Sequence, residues 1–270
     1  MDFTLSPEQQ MIYDYGAKVA QTFDHKYWLE KARKNQFPEE LWRLTARDGF
    51  AGLMVDEAYG GAGLGLLEMA LLIEGMSNHG LPLLMYVVGP TMSLGHINLH
   101  GTPEQKSRYL PDAAAGRTMF CFAITEPNAG SNSIRIQSVA RRDGERFKLN
   151  GSKVFITGAD VSDYAVVVAR TTPHDQVKRK SDGFTVFILD LKAKGVDFHP
   201  INMSVVNPEL QFSLFFDDVD LGLEDVLGEV DKGFNILFDL LNPERVTVAA
   251  MACGIGRFAI EKAVAYTSER

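Results

Sequence analysis

Cysteine is scarce in this 270-residue chain: Cys121 and Cys253 form no CxxC pair and lie far apart. That usage fits a reducing compartment and gives no cysteine-based metal site. Positive charge is also in deficit, with 27 Lys and Arg against 35 Asp and Glu, a net −8. This argues against a nucleic-acid partner, although a local basic patch could still meet ligand phosphates. No metal site is expected from the histidines either, because His79, His96 and His100 have no ligand-like company. The first residues, Met1-Asp2-Phe3-Thr4-Leu5-Ser6-Pro7-Glu8, make neither a basic-apolar signal peptide nor an Arg-rich transit peptide. They read as a cytosolic amino terminus, hence a cytoplasmic protein.

Long apolar runs are missing too. A membrane helix wants about 18 or more uninterrupted apolar residues. The best stretch, 81–99, is broken by Gly89, Pro90, His96 and Asn98. It reads as a buried helix pair in a bundle core rather than a membrane span. A dinucleotide loop is absent as well. The glycine cluster Tyr59-Gly60-Gly61-Ala62-Gly63-Leu64-Gly65 lacks the third glycine of GxGxxG and has no βαβ unit around it. It is expected to be a structural loop before a helix starting near Leu66.

What is present supports a sizeable core and more than one domain, at 46% hydrophobic and 23% charged. Residues 1–117 read as a helical bundle. Ser6-Pro7-Glu8-Gln9 and Thr102-Pro103-Glu104-Gln105 are capping sequences, and Phe37-Pro38-Glu39-Glu40 opens another helix. After Gly116 the period becomes strand-like, and 118–225 reads as an antiparallel β domain without crossover helices. Asp143-Gly144 and Asn150-Gly151 are its hairpin signals, with strands expected over 163–170, 183–190 and 210–219. From 226 to 270 the chain reads as the start of a second helical bundle. Asn242-Pro243-Glu244-Arg245 looks like a capped helix start, with the amide at the N-cap and proline at N1. Small residues over 249–254 suggest close approach of a neighbouring helix, and the last helix ends without a stop signal, as in a partly represented chain.

Two runs carry the functional reading. Cys121-Phe122-Ala123-Ile124-Thr125-Glu126-Pro127-Asn128-Ala129-Gly130-Ser131-Asn132 is an apolar strand ending in a loop of turn formers and short polar side chains. Lys153-Val154-Phe155-Ile156-Thr157-Gly158-Ala159 is a second strand ending in a hydroxyl and a glycine. Side by side, such ends would offer aromatic faces and donors to a flat, polar-edged heterocycle. The pair resembles the acyl-CoA dehydrogenase family, whose members carry a Thr-Glu-Pro-x-Ala-Gly-Ser-Asp loop and a Trp-Ile-Thr-Asn run.

The resemblance implies FAD as cofactor and an acyl-CoA thioester as substrate. It also implies an electron-transfer flavoprotein as electron acceptor and a homo-oligomeric assembly, most simply a tetramer. It places Phe122, Ile124, Thr125, Ser131, Phe155, Ile156 and Thr157 at the flavin, with Arg270 reaching flavin phosphate. Ser131, Asn242 and Arg245 fall on the substrate side. Glu244 matches the catalytic base of the minority of relatives that carry it on this helix. The plainer reading of Glu244 is an acid complementing a helix dipole. Asn132, Gly158 and Met203-Ser204-Val205-Val206-Asn207 depart from the family pattern, the last lacking its Gly-x-Arg. Phenylalanine at 155 also occurs in relatives that reduce unusual thioesters. The alternatives are therefore an enoyl-thioester reductase, a divergent oxidase, or a non-catalytic binding or assembly subunit.

Overall fold

The computed structural model describes residues 3–269. Reciprocal side-chain caps start two of the helices. Before α1 (Pro7–Ala20), Ser6 Oγ accepts the Gln9 N–H at 3.1 Å while Gln9 Oε1 accepts the Ser6 N–H at 3.0 Å. Helices α2 (His25–Arg33), α3 (Glu39–Arg47) and α4 (Leu66–Asn78) follow. The glycine cluster forms the loop into α4, with Gly61 pressed against the Val55 carbonyl.

The stretch expected to be a buried helix pair is instead one continuous helix with a wide turn. A π-helical section, Val87–Leu94, runs directly into α5 (Gly95–His100), and most of it is buried. Pro90 is the cause, because it has no N–H for the preceding turn. The Tyr86 carbonyl it leaves unserved accepts from Thr91 Oγ1 at 3.0 Å. Helix α6 (Pro103–Ala114) then repeats the reciprocal cap through Thr102 and Gln105.

Among the described residues, eight strands make one sheet, ordered β6-β7-β3-β2-β4-β5-β8 with β1 joined to β4. They are β1 (Phe120–Ala123), β2 (Val139–Asp143), β3 (Arg146–Thr157), β4 (Tyr164–Arg170), β5 (Phe184–Asp190), β6 (Val196–Ile201), β7 (Gln211–Leu221) and β8 (Val226–Leu227). The domain is mainly antiparallel, as the sequence predicts, but the sheet is mixed. β1 runs parallel to β4, pairing Phe120 with Tyr164 through Ala123 with Val167. No hairpin joins these two strands. The whole 124–163 excursion separates them, which is what a parallel pairing requires.

Asp143-Gly144 does form the β2–β3 turn, but Asn150-Gly151 does not make a hairpin. It lies inside β3 as a bulge against β7. The Asn150 amide is captured across the sheet, donating to Asp218 Oδ1 at 2.8 Å and accepting the Asp218 N–H at 3.0 Å. Gly151 has φ 139°, and a Cβ there would sit 2.5 Å from Ser138 Oγ. Strand β6, an exposed edge strand containing His199 and Pro200, was not expected from the sequence.

The last helix departs furthest from the sequence expectation. α7 (Gly233–Ser268) is a single helix of 36 residues with Pro243 in its interior. Asn242 is therefore not an N-cap, and Glu244 does not sit in a first turn. An interior proline costs about 3 kcal/mol or more. Tertiary packing offsets it: Phe234, Ile236, Leu237 and Leu241 join the core on one side of Pro243 and Met251 on the other. Within 249–254 it is Gly254 that approaches α4, since a Cβ there would lie 2.4 Å from the Glu74 carbonyl.

Two cores meet in the sheet. Along β4, Val166 and Val168 face the helical core, whereas Ala165, Val167 and Ala169 face a second core with β3 and β7. This double burial explains why β4 and β5 read as unbroken apolar runs. It also fixes the ends of β1 and β3 at the junction of the two halves.

Candidate functional site

The two quoted runs come together at those strand ends. Val154 N–H donates to the Thr125 carbonyl at 2.9 Å, so the loop after β1 lies along the end of β3. Beneath this contact is an ion pair that the sequence reading did not single out. Lys153 is fully buried, and its Nζ donates to Glu126 Oε1 at 2.9 Å and to the Ile124 carbonyl at 3.1 Å. Glu126 also accepts the N–H groups of Gln137 at 2.6 Å and Ser138 at 2.9 Å. Burial pushes its pKa up, but Lys153 and these donors outweigh burial and hold it below the usual carboxylate range. Burial draws Lys153 down to about 8 against the pull of Glu126. Both residues lie within the quoted runs. The visible signal was a lysine at an inward position of an alternating strand.

Phe155 is 54% exposed with φ 58°, a left-handed conformation that a bulky residue adopts only when its surroundings impose it. The β3–β7 register shifts between Lys153 and Ile156, so the bulge turns the ring outward. Ile124 and Thr125 are half-buried beside it, and Ser131 is exposed. No protein group bonds the side chains of Thr125 or Ser131 among the described residues. Ile156 is buried, as is Thr157, whose Oγ1 accepts from Gln211 Nε2 at 2.9 Å. An open aromatic face next to the unused Thr125 hydroxyl fits a flat ring with polar edges.

Phe122 is placed differently from its neighbours, in the helical core and stacked on His96 at 5.9 Å. His96 Nε2 lies 3.0 Å from the Ile236 carbonyl, linking β1 to α7 through the ring. Burial lowers the His96 pKa to about 2, so the imidazole is neutral.

On α7, Glu244 is half-buried and its carboxylate makes no hydrogen bond among the described residues. Burial raises its pKa, with Arg245 opposing. Arg245 itself donates to Asn242 Oδ1 at 2.8 Å, so that pair closes on itself along the helix. Arg270 lies outside the described residues.

Beyond the 125–132 loop opens a cavity of about 840 Å³ lined by Arg135, Arg141, His174 and Lys180, with no acidic residue on its wall. Arg170 also lines it but serves the fold, donating to the carbonyls of Ile134, Ile136, Lys180 and Asp182. Such a cavity suits an anion. Among the described residues no helix is long and apolar enough to cross a membrane. Among them, no group of three or more His, Cys, Asp or Glu could hold a metal ion.

The chain is similar to known proteins along most of its length. The family profile "Acyl-CoA dehydrogenase, N-terminal domain" matches residues 6–117, and "Acyl-CoA dehydrogenase, middle domain" matches 121–219. An acyl-CoA dehydrogenase of Mycobacterium tuberculosis is 41% identical over 268 residues, covering 99% of this chain and 68% of its own. A 3-(aryl)acrylate reductase of Clostridium sporogenes is 35% identical, covering 87% of this chain and 62% of its own. The structure of butyryl-CoA dehydrogenase from Megasphaera elsdenii superposes with TM-score 0.92 at 29% identity, covering 100% of this chain and 71% of that one. The chain thus spans about two thirds of the length of the curated relatives it matches. By its two matched domains, its overall identity and its superposed fold, the chain belongs to the acyl-CoA dehydrogenase family of FAD-dependent oxidoreductases.

Proposed function

We propose that the protein moves two hydrogens between Cα and Cβ of an acyl-CoA thioester, with FAD bound along the ends of β1 and β3. The observation that carries this reading is the outward Phe155 ring, imposed by a β-bulge next to Thr125, whose hydroxyl is unused. Phe155, Ile124 and Ile156 would supply the apolar face. Thr125, Ser131 and Thr157 would supply polar contacts, with Phe122 supporting the β1 end from behind. Arg270 is kept as the phosphate partner of the cofactor. When bound, FAD supplies the acceptor for the hydride leaving Cβ.

Glu244 is assigned the Cα proton. A carboxylate whose pKa burial raises is a better base than one at a helix mouth. Ser131, Asn242 and Arg245 are assigned to the substrate side, and the cavity lined by Arg135, Arg141 and Lys180 to the CoA phosphates. An electron-transfer flavoprotein in the cytoplasm is the proposed acceptor. The reading fails if folded protein stays colourless after FAD is added, which would leave a binding or assembly subunit. A second reading, reduction of an enoyl thioester by the same site, is favoured by Phe155 and by the similarity to an arylacrylate reductase.

Phe155→Gly separates strain from binding. Glycine accepts φ 58° freely, so the FAD-free protein is expected to gain about 1 kcal/mol of stability. FAD affinity should fall at the same time, because the aromatic face is gone. Urea unfolding of the FAD-free protein and FAD titration check the two halves. Loss of both stability and affinity would mean the ring serves only packing.

A homo-oligomer is also proposed. Of the small residues over 249–254, Gly254 packs on α4, whereas Ala249, Ala252 and Cys253 are exposed. Exposed apolar side chains support it: Val246, Val248, Ile255, Ile260 and Val264 lie along α7. Sedimentation of folded protein is expected to give a multiple of the monomer mass, and a monomer would contradict the proposal.

A further inference from the structure

Glu209 is a buried carboxyl, 3% exposed, that no step of the proposed reaction uses. It follows β6 at the end of a connection whose middle faces solvent, Val205 at 68% and Val206 at 61% exposed. Its Oε1 accepts the Met85 N–H at 2.7 Å. The Leu84 N–H also faces the carboxyl. These donors open the helix that continues through Val87–Leu94 into α5, where no earlier turn can serve them. Glu209 therefore caps that helix from a distant part of the chain.

The residues beside Glu209 hold the other half of the site. The Leu210 carbonyl accepts the Gly158 N–H at 2.9 Å, and Gln211 Nε2 donates to Thr157 Oγ1. Gly158 in turn lies against Met85, since a Cβ there would sit 2.4 Å from Sδ. Three consecutive residues thus tie the start of the helix to the end of β3. We infer that Glu209 is a positioning residue, holding this helix against the Thr157–Gly158 strand end, and that loss of its proton loosens the hold. The role in catalysis rests on the proposed function, which places the flavin at that strand end.

The groups facing Glu209 are all neutral. From the helix come the Leu84 and Met85 N–H groups, and from its own loop the Asn207 amide at 3.1 Å from Oε2. The β3 end contributes only Thr157 and Gly158, and no charged side chain acts on the carboxyl. The Asn207 amide can serve either form, offering Nδ2–H to a carboxylate or Oδ1 to a carboxylic acid. Burial pushes Glu209 up to about 8, against the opposing bonds from Met85, Asn207 and Leu84. A folded pKa above the unfolded one means that the stabilising contribution is full below about pH 4.5. It is lost as pH rises through about 8. Above that, a buried carboxylate without a cation is favoured by letting water in.

The test uses purified, FAD-loaded protein from about pH 6 to pH 9.5. Wild type is expected to change its visible flavin circular dichroism with a midpoint near 8. Glu209→Gln, which keeps an acceptor but cannot ionise, should bind FAD and stay flat. Hydrogen exchange at residues 84–86, corrected for its intrinsic pH dependence, should quicken about tenfold per pH unit from about pH 6 up to that midpoint and level off above it, in wild type only. The same transition in both proteins, or none in wild type, overturns the inference. If FAD does not bind at all, the proposed function fails instead, and the exchange measurement alone still decides the latch.

Discussion

Replacing Lys153 by methionine is expected to destabilise the protein by about 3–5 kcal/mol and to abolish FAD retention, because Glu126 is left charged and buried without a cation. The side chains of the pair are 0% and 5% exposed, so water cannot replace the missing ammonium without opening the junction. Glu126 would keep the N–H groups of Gln137 and Ser138, yet lose the partner that also holds the Ile124 carbonyl. The double variant Lys153→Met, Glu126→Gln removes both charges. It should recover part of the stability, since deleting a whole buried pair costs less than breaking one. It should not recover FAD binding, because the 125–132 loop then keeps its Val154–Thr125 backbone bond to β3 but loses the Lys153 bonds to Glu126 and the Ile124 carbonyl. Urea unfolding of the three proteins measures the first effect and FAD titration the second. A single variant within about 1 kcal/mol of wild type would show that the pair does not hold the loop.

The other large effect is kinetic. Glu244→Gln is expected to leave FAD bound and to slow flavin reduction by acyl-CoA about 10²–10⁴-fold, the usual worth of a general base. Burial already lifts Glu244 above the ordinary glutamate range, and Arg245, which opposes it, is engaged with Asn242. Asn242→Ala should free Arg245 to approach the carboxylate and lower its pKa. The pH profile of flavin reduction should then move to lower pH, without a comparable loss of maximal rate. Stopped-flow reduction across pH measures both variants. Reduction by Glu244→Gln within a few-fold of wild type would assign the proton to another group.

What could be read from the sequence follows the range of the interactions. The caps at Ser6 and Thr102 are satisfied within three residues, so the residues that make them stand together in the chain. The 125–132 loop and the 153–159 run were equally legible, because turn formers and hydroxyls mark a strand end wherever it lies. Pro243 misled because local rules place proline at a helix start, whereas α7 is carried through it by the core. Asn150-Gly151 misled for a related reason: the Asn150 amide is claimed by Asp218, sixty-eight positions away along the chain. Lys153 and Glu126 were hidden by their type, since charged residues in a strand read as solvent-facing until their partner is known. Glu209 was hidden twice over, having no charged partner and lying 124 positions from the Met85 N–H it accepts.

The central claim is that the paired ends of β1 and β3 hold a flavin that exchanges hydrogens with an acyl thioester. Anaerobic mixing of FAD-loaded protein with saturating acyl-CoA, followed by the visible flavin absorbance, tests it most directly. The account predicts bleaching by acyl-CoA, or, if the enzyme runs as a reductase, recovery of chemically reduced flavin on adding an enoyl-CoA. A flavin whose absorbance responds to neither thioester would contradict it.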